Sequence, residues 1–154
     1  MPRQAADAKI LLADTNPDDP LIGARLRFVL TQVERRLEAE LAAAGHPDVL
    51  VAHFKVFRFP PPENERPLDL AKRAGTTKQA MNYLLAQLES LGYLERSHGD
   101  GTSTRRVSLT AKGWEVARIQ RETVRSIERE WEARFGAVKF RAFYEVLSLS
   151  LIHI

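Results

Sequence analysis

Lys78, Gln79, Asn82 and Tyr83 are the residues of this chain whose types and spacing could do chemistry. They stand in a stretch where Met81, Leu84, Leu85 and Leu88 recur at i, i+3, i+4 and i+7, the apolar stripe of a helix. At about 100° per residue, Gln79, Tyr83 and Ala86 face away from that stripe, and Asn82 and Gln87 lie on its flanks. Gln and Asn can each pair with two atoms of an adenine edge, and Lys can donate to guanine or to a phosphate. A helix buried on one side and carrying these groups on the other is built to read a major groove. Thr76 and Gln79 have capping-box spacing, which predicts the helix start at Thr76, with Thr77 beside it; Gly92 is predicted to end it.

The neighbouring elements must position those side chains. Upstream, residues 68–75 read as a short helix ending in Gly75, and two helices joined by a short Gly-containing turn form a helix-turn-helix. Its cations, Lys72 and Arg73, are expected at bound DNA. Downstream, residues 93–97 and 105–110 can pair as a hairpin around the polar, Gly-rich segment 98–104. Val107 and Leu109 would face inward, and Arg106 and Ser108 outward. A helix-turn-helix followed by a hairpin is a winged helix, whose wing would carry Arg105 and Arg106 to the backbone or minor groove.

In order, Leu-Ala-x-Arg-Ala-Gly (70–75), Thr-Lys-Gln (77–79), Leu-x-x-Leu-Gly-Tyr-x-x-Arg (88–96), Asp100-Gly101 and Val-x-Leu-Thr-x-Lys-Gly (107–113) resemble the multiple-antibiotic-resistance regulator (MarR) family. The likeness covers roughly residues 66–114 by motif and the flanks by helix order. It implies a winged-helix DNA-binding regulator that acts as a homodimer and answers to a small molecule. That family's wing usually carries an Arg directly after Asp-Gly. Here Thr102 stands there, so the wing contact is expected from Arg105 or Arg106. A polar cap usually opens the first helix of the unit, where this chain has Pro67-Leu68.

Composition bounds the reading. The 154 residues suffice for one domain with a real core. The chain has no cysteine, and hence no disulfide and no thiolate chemistry. No apolar run is long enough to span a bilayer and no signal-peptide pattern opens the chain, so a cytoplasmic location is expected. Residues 66–112 hold eight basic residues against four acidic, a net of +4, while the whole chain carries +3. The positive charge thus concentrates on the proposed reading module, as phosphate binding requires. His46, His53 and His98 have no carboxylate at ligand-like spacing, so no metal is expected. No cofactor motif is visible, and no nucleophile–base pair or phosphate loop suggests an enzyme.

The flanks read as an oligomerisation frame. Asp19-Pro20 suits a helix start, Gly45 and Pro47 a stop, and Leu26, Leu30, Val33, Leu37 and Leu41 recur between them. A helix over 20–44 would be about 37 Å long, more than a small winged helix can cover. A second long helix is expected over 110–135, capped by Thr110, with Ala117, Val124, Ile127 and Trp131 on its apolar side. A last one, over 137–148, presents Phe140, Phe143, Tyr144 and Leu147. These stripes fit a two-fold dimer, expected on Leu26, Leu30, Val33, Leu37, Val124, Ile127, Trp131, Phe140, Phe143 and Leu147. Residues 48–59 read as an apolar helix before the prolines 60–62. The family resemblance places an effector pocket at the junction of that helix, the first helix and the second long helix, with His53, Phe57 and Arg58 as its candidate lining.

The expected architecture is therefore mainly α with a small β-hairpin wing. It comprises an N-terminal arm (1–16) and one domain (17–148) whose winged helix-turn-helix spans 48–110. Leu149 to Ile154 depart from the preceding helical chemistry and equal the translation of a transposon-based sequencing adapter, so they are read as a library scar. The expected function is that of a ligand-responsive repressor: a homodimer on pseudo-palindromic double-stranded DNA, with no membrane partner. The expected base-edge and phosphate contacts are Thr76, Thr77, Lys78, Gln79, Asn82, Tyr83, Lys72, Arg73, Arg105 and Arg106. The same elements would also serve a protein-interaction or assembly module that reads no DNA.

Overall fold

The apolar repeats become five α-helices and one two-stranded hairpin in a computed structural model of the protein, which describes residues 21–58, 60–98 and 105–153. The helices are α1 (Ile22–Ala43), α2 (Pro67–Arg73), α3 (Lys78–Ser90), α4 (Ala111–Phe135) and α5 (Ala137–His153); the strands are β1 (Leu94–His98) and β2 (Arg105–Leu109). The expected wing tip at Asp100, Gly101 and Thr102, the Asp19-Pro20 start, Phe59 and the arm at 1–16 lie outside the described residues.

The chain divides into two units at Gln32 and Val33. In the first, the described residues are Leu21 and the opening of α1, and Leu21, Ile22, Leu26, Phe28 and Leu30 are all exposed. In the second, Leu37 and Leu41 join Val56, Leu70, Met81, Leu85, Leu88, Leu94, Val107 and Val116 in one core. The stripe read from α3 is the part of that helix that is buried: Met81, Leu84, Leu85 and Leu88.

The turn between α2 and α3 corrects the expected helix start. Gly75 adopts φ +61°, which only glycine tolerates cheaply, and the N–H groups of Gly75 and Thr76 donate to the Lys72 and Ala71 carbonyls. Thr76 is thus consumed in closing α2. The cap of α3 moves one residue on to Thr77, whose Oγ1 accepts from the Ala80 N–H at 3.1 Å. No capping box with Gln79 forms, and Gln79 stays free. At the start of α2, Arg66 takes the cap position with Pro67 in the first turn, and its Nε donates to Asp69 at 2.7 Å.

A second correction concerns residues 48–59. The structure has a single 3-10 turn, Val51–His53, followed by turns, not a helix. The backbone bonds there span three residues, from His53 to Leu50, Phe54 to Val51, Val56 to His53 and Phe57 to Phe54. Pro47 and Pro60 bracket the segment, and β-branched and aromatic residues gain little from a longer helix.

The hairpin pairs Leu94 with Leu109 and Arg96 with Val107, burying Leu94, Val107 and Leu109. Glu65 adds an unforeseen bridge to the other edge of β2, exchanging two backbone bonds with Val107 at 2.8 and 3.0 Å. Thr110 caps α4 as expected, its Oγ1 accepting from the Gly113 N–H. Gly136 separates α4 from α5. α5 continues to His153, so residues 149–153 do extend the preceding helix, contrary to the sequence reading. The reason is local: Leu149 and Leu151 are good helix formers, and Ser150 satisfies its hydroxyl on the Val146 carbonyl without leaving the helix.

Candidate nucleic-acid interface

The first turns of α3 hold the candidate reading groups. Lys78 and Gln79 are exposed, as is Tyr83 at 66 %. Asn82 is half-buried, and its carbonyl accepts from Arg96 Nη2. Thr77 is exposed and engaged as the cap; Thr76 is half-buried. The buried stripe beneath holds α3 against the core, so these side chains project from a fixed helix.

Gln87, expected on the flank of the stripe, hydrogen-bonds to the candidate reading face. Its Nε2 donates to the Tyr83 hydroxyl at 3.2 Å, and its Oε1 lies 3.1 Å from Nε2 of His53. His53 is buried, and its Nδ1 accepts from the Leu50 N–H at 3.1 Å. The signal was present: Tyr83 and Gln87 are four apart on a helix and must be neighbours.

The cations of the module fall into two groups. Lys72, Lys78 and Arg105 are exposed and have no ion-pair partner among the described residues. The others are engaged: Arg66 with Asp69, Arg96 with Glu89 at 3.1 Å, and Lys112 with the Leu91 carbonyl at 2.9 Å. Arg106 donates to the Asn64 carbonyl at 3.2 Å. Arg73, expected at DNA, binds Glu65 at 2.9 Å and the Pro60 carbonyl. It ties the proline turn and the Glu65 bridge to α2, because Glu65 is placed beside it by the isolated bridge to Val107, which the sequence did not reveal.

A polar cluster secures the end of α3. The N–H groups of Gly92 and Tyr93 close the helix on the Glu89 and Leu88 carbonyls. The Tyr93 hydroxyl donates to Asp48 at 2.5 Å and lies 3.1 Å from His46 Nδ1, while Lys112 Nζ sits 4.0 Å over the Tyr93 ring. That hydroxyl holds the Asp48 carboxylate below its usual range, and burial pushes the Tyr93 phenol well above its own. Thr110 donates from Oγ1 to the Gly92 carbonyl at 2.7 Å and from its N–H to the Tyr93 carbonyl at 3.1 Å. The end of α3, the start of β1 and the start of α4 therefore share one anchor.

The remaining candidates are dispersed. His53 and Phe57 are buried and Arg58 is exposed, so the three expected pocket residues do not present together. Among the expected dimer residues, Leu37 and Ile127 are buried within the chain. Val124 is exposed, Val33, Trp131, Phe140 and Leu147 are half-buried, and Phe143 is exposed. No described side chain of α5 is buried, although Val138, Phe143, Tyr144, Val146, Leu149 and Leu151 are apolar or aromatic.

No family model matches the chain, and no curated protein matches it either. Solved structures do. A MarR family protein of Mycobacterium tuberculosis, in complex with salicylic acid, is 27 % identical over 86 % of this chain and 98 % of its own, with a TM-score of 0.61. Wild-type MarR of E. coli is 21 % identical over 87 % and 98 %, with a TM-score of 0.63. FabT of Streptococcus pneumoniae, in complex with DNA, is 17 % identical over 86 % and 97 %, with a TM-score of 0.69.

Proposed function

We propose that this chain, a winged-helix protein of the MarR family, is a ligand-responsive transcription repressor that binds duplex DNA as a homodimer, without chemistry. The observation that carries the DNA reading is the exposed set Lys78, Gln79 and Tyr83 on a helix whose other face is wholly buried. Exposed Lys72 on the preceding helix and Arg105 on the wing supply phosphate contacts on either side. The DNA complex of the pneumococcal protein, which shares this fold, supports the same reading.

The dimer part of the reading is supported by an apolar helix without a buried side chain among those described. α5 is 17 residues long and largely apolar, yet none of its described side chains is buried. Water penalises such a surface at roughly 25 cal/mol per Å², and a second copy offering the same patch relieves it. Two copies would set their α3 helices in successive major grooves, about 34–36 Å apart. A small-molecule effector belongs to the reading because the M. tuberculosis protein holds salicylic acid. Such an effector acts by favouring one spacing of the two reading heads. No helix among the described residues is long and apolar enough to cross a membrane.

The test is duplex binding across a salt series, with a site selected from random sequence. A reader loses affinity steeply as salt rises and prefers one site. Gln79→Ala should cost about 1–3 kcal/mol on that site and relax one base position. Parent-like binding by Gln79→Ala to selected and random duplexes alike would remove α3 as the reader.

A further inference from the structure

We infer that Tyr83 meets DNA as a hydrogen-bond donor, its polarity dictated from the core by His53 through Gln87. The inference rests on the DNA reading above and deepens it. The direction of each bond in the relay can be derived from one fixed end.

The Leu50 backbone N–H can only donate, so Nδ1 of His53, 3.1 Å away, must accept. The ring hydrogen of the neutral imidazole then sits on Nε2. That hydrogen is given to Gln87 Oε1 at 3.1 Å, which turns the Gln87 amide so that its NH2 group faces Tyr83. Gln87 Nε2 donates to the Tyr83 oxygen at 3.2 Å. With its oxygen already accepting, the Tyr83 hydroxyl keeps its own hydrogen for an outside partner. His53 is 2 % exposed and Tyr83 66 %, so the relay runs from the core to the candidate reading face.

A donor at that place selects acceptors. In the major groove these are guanine O6 and N7, adenine N7 and thymine O4, whereas cytosine N4 and adenine N6 present donors. The contacted base position should therefore favour G or T over C. His53 and Gln87 are positioning residues, since neither needs to touch DNA.

Gln87→Glu provides the decisive variant. One carboxylate oxygen accepts from His53 Nε2–H, and the other accepts from the Tyr83 hydroxyl. The Tyr83 hydrogen is drawn inward and its oxygen lone pair faces out. The added charge weakens binding to all duplexes together, but the base preference at one position should invert, from G or T towards A or C.

The experiment selects sites from a randomised duplex pool with the full chain in four forms: parent, Gln87→Glu, Tyr83→Phe and the double variant. Loss of one hydrogen bond corresponds to about three- to tenfold in discrimination. The parent should show the G or T preference, Gln87→Glu should reverse it, and Tyr83→Phe should erase both the preference and its reversal. A relay that merely stabilises the fold would shift melting without inverting a preference. Should Gln87→Glu fail to fold, Gln87→Met serves instead: it frees Tyr83 to rotate, and the same position should lose discrimination at an unchanged salt slope. A parent with no sequence preference and no steep salt dependence would overturn the DNA reading itself. A selective parent whose motif survives Tyr83→Phe unchanged would overturn only the relay. So would a Tyr83→Phe loss equal on every sequence, which marks a phosphate contact.

Discussion

Gly113→Ala should be among the most damaging small substitutions in the molecule, against the usual rule for glycine in a helix. Ala normally gains about 1 kcal/mol over Gly in a helix interior. Gly113 lies buried in the first turn of α4, and an added Cβ would fall under 3.0 Å from the Tyr93 carbonyl oxygen. It would also stand 3.1 Å from the Tyr93 carbonyl carbon and 3.2 Å from Leu109 Cβ. The obstacle is backbone, not a side chain that can swing away. Relief requires α4 to move from the end of α3, which breaks the two Thr110 bonds to Gly92 and Tyr93. Overpacking costs about 1–3 kcal/mol, and each lost bond about 1 kcal/mol. After the helix gain, a net loss of about 2–4 kcal/mol remains. Gly23→Ala is the control, because nothing lies within 4 Å of its added Cβ; it should be neutral or stabilising. Urea unfolding of both variants measures the difference. A Gly113→Ala protein as stable as Gly23→Ala would refute the claim that one close backbone contact locks α3 to the wing and to α4. Since that contact also sets where α3 stands, Gly113→Ala should bind DNA less selectively even where it remains folded.

Lys72→Ala and Lys78→Ala should each weaken binding to all duplexes and make the salt slope shallower by about one, whereas Arg73→Ala should mainly lower the melting temperature; an Arg73→Ala slope change as large as that of Lys78→Ala would contradict its assignment to Glu65. Tyr93→Phe removes the bond that lowers the Asp48 pKa. Stability from a lowered carboxylate is present above its unfolded value near 4 and is lost as pH falls through the folded one, so the stability gap between parent and variant should hold from about pH 5 to 7 and narrow below about pH 4. An equal gap at pH 3 and pH 7 would show that Asp48 is not coupled to Tyr93. Phe143→Asp on α5 should raise the dimer dissociation constant at least about tenfold, given about 1.5–3 kcal/mol for a buried Phe; sedimentation over a range of concentrations reads it directly, and unchanged association would place the dimer surface elsewhere.

Much of this molecule was legible as pattern. The stripe Met81, Leu84, Leu85 and Leu88 told which side of α3 is buried, because helical geometry converts spacing into a face without help from the rest of the chain. Thr110 and Gly136 marked the bounds of α4, and Gly92 the end of α3, since caps and left-handed turns are chosen by a few adjacent residues. The ordered motifs over 66–114 carried the resemblance to the MarR family, and solved structures of that family share this chain's fold. The place of the cap is likewise local: Gly75 and Thr76 close α2 through their N–H groups, and Thr77 Oγ1 accepts from the Ala80 N–H.

What the sequence could not decide is which long-range partner each polar group obtains. Lys72 and Arg73 are adjacent and look equivalent, yet among the described residues Lys72 has no ion-pair partner and Arg73 is held by Glu65, whose place depends on a bridge to Val107 forty-two residues away. His53 and Gln87 are thirty-four residues apart, and only the packing of the turn at 51–53 on α3 brings ring to amide. Tyr93 gains Asp48 and His46 in the same way. Apolar periodicity is a property of consecutive residues and survives any tertiary arrangement. A hydrogen bond or ion pair needs two groups within about 3 Å in the right orientation, and that coincidence exists only when the chain has folded.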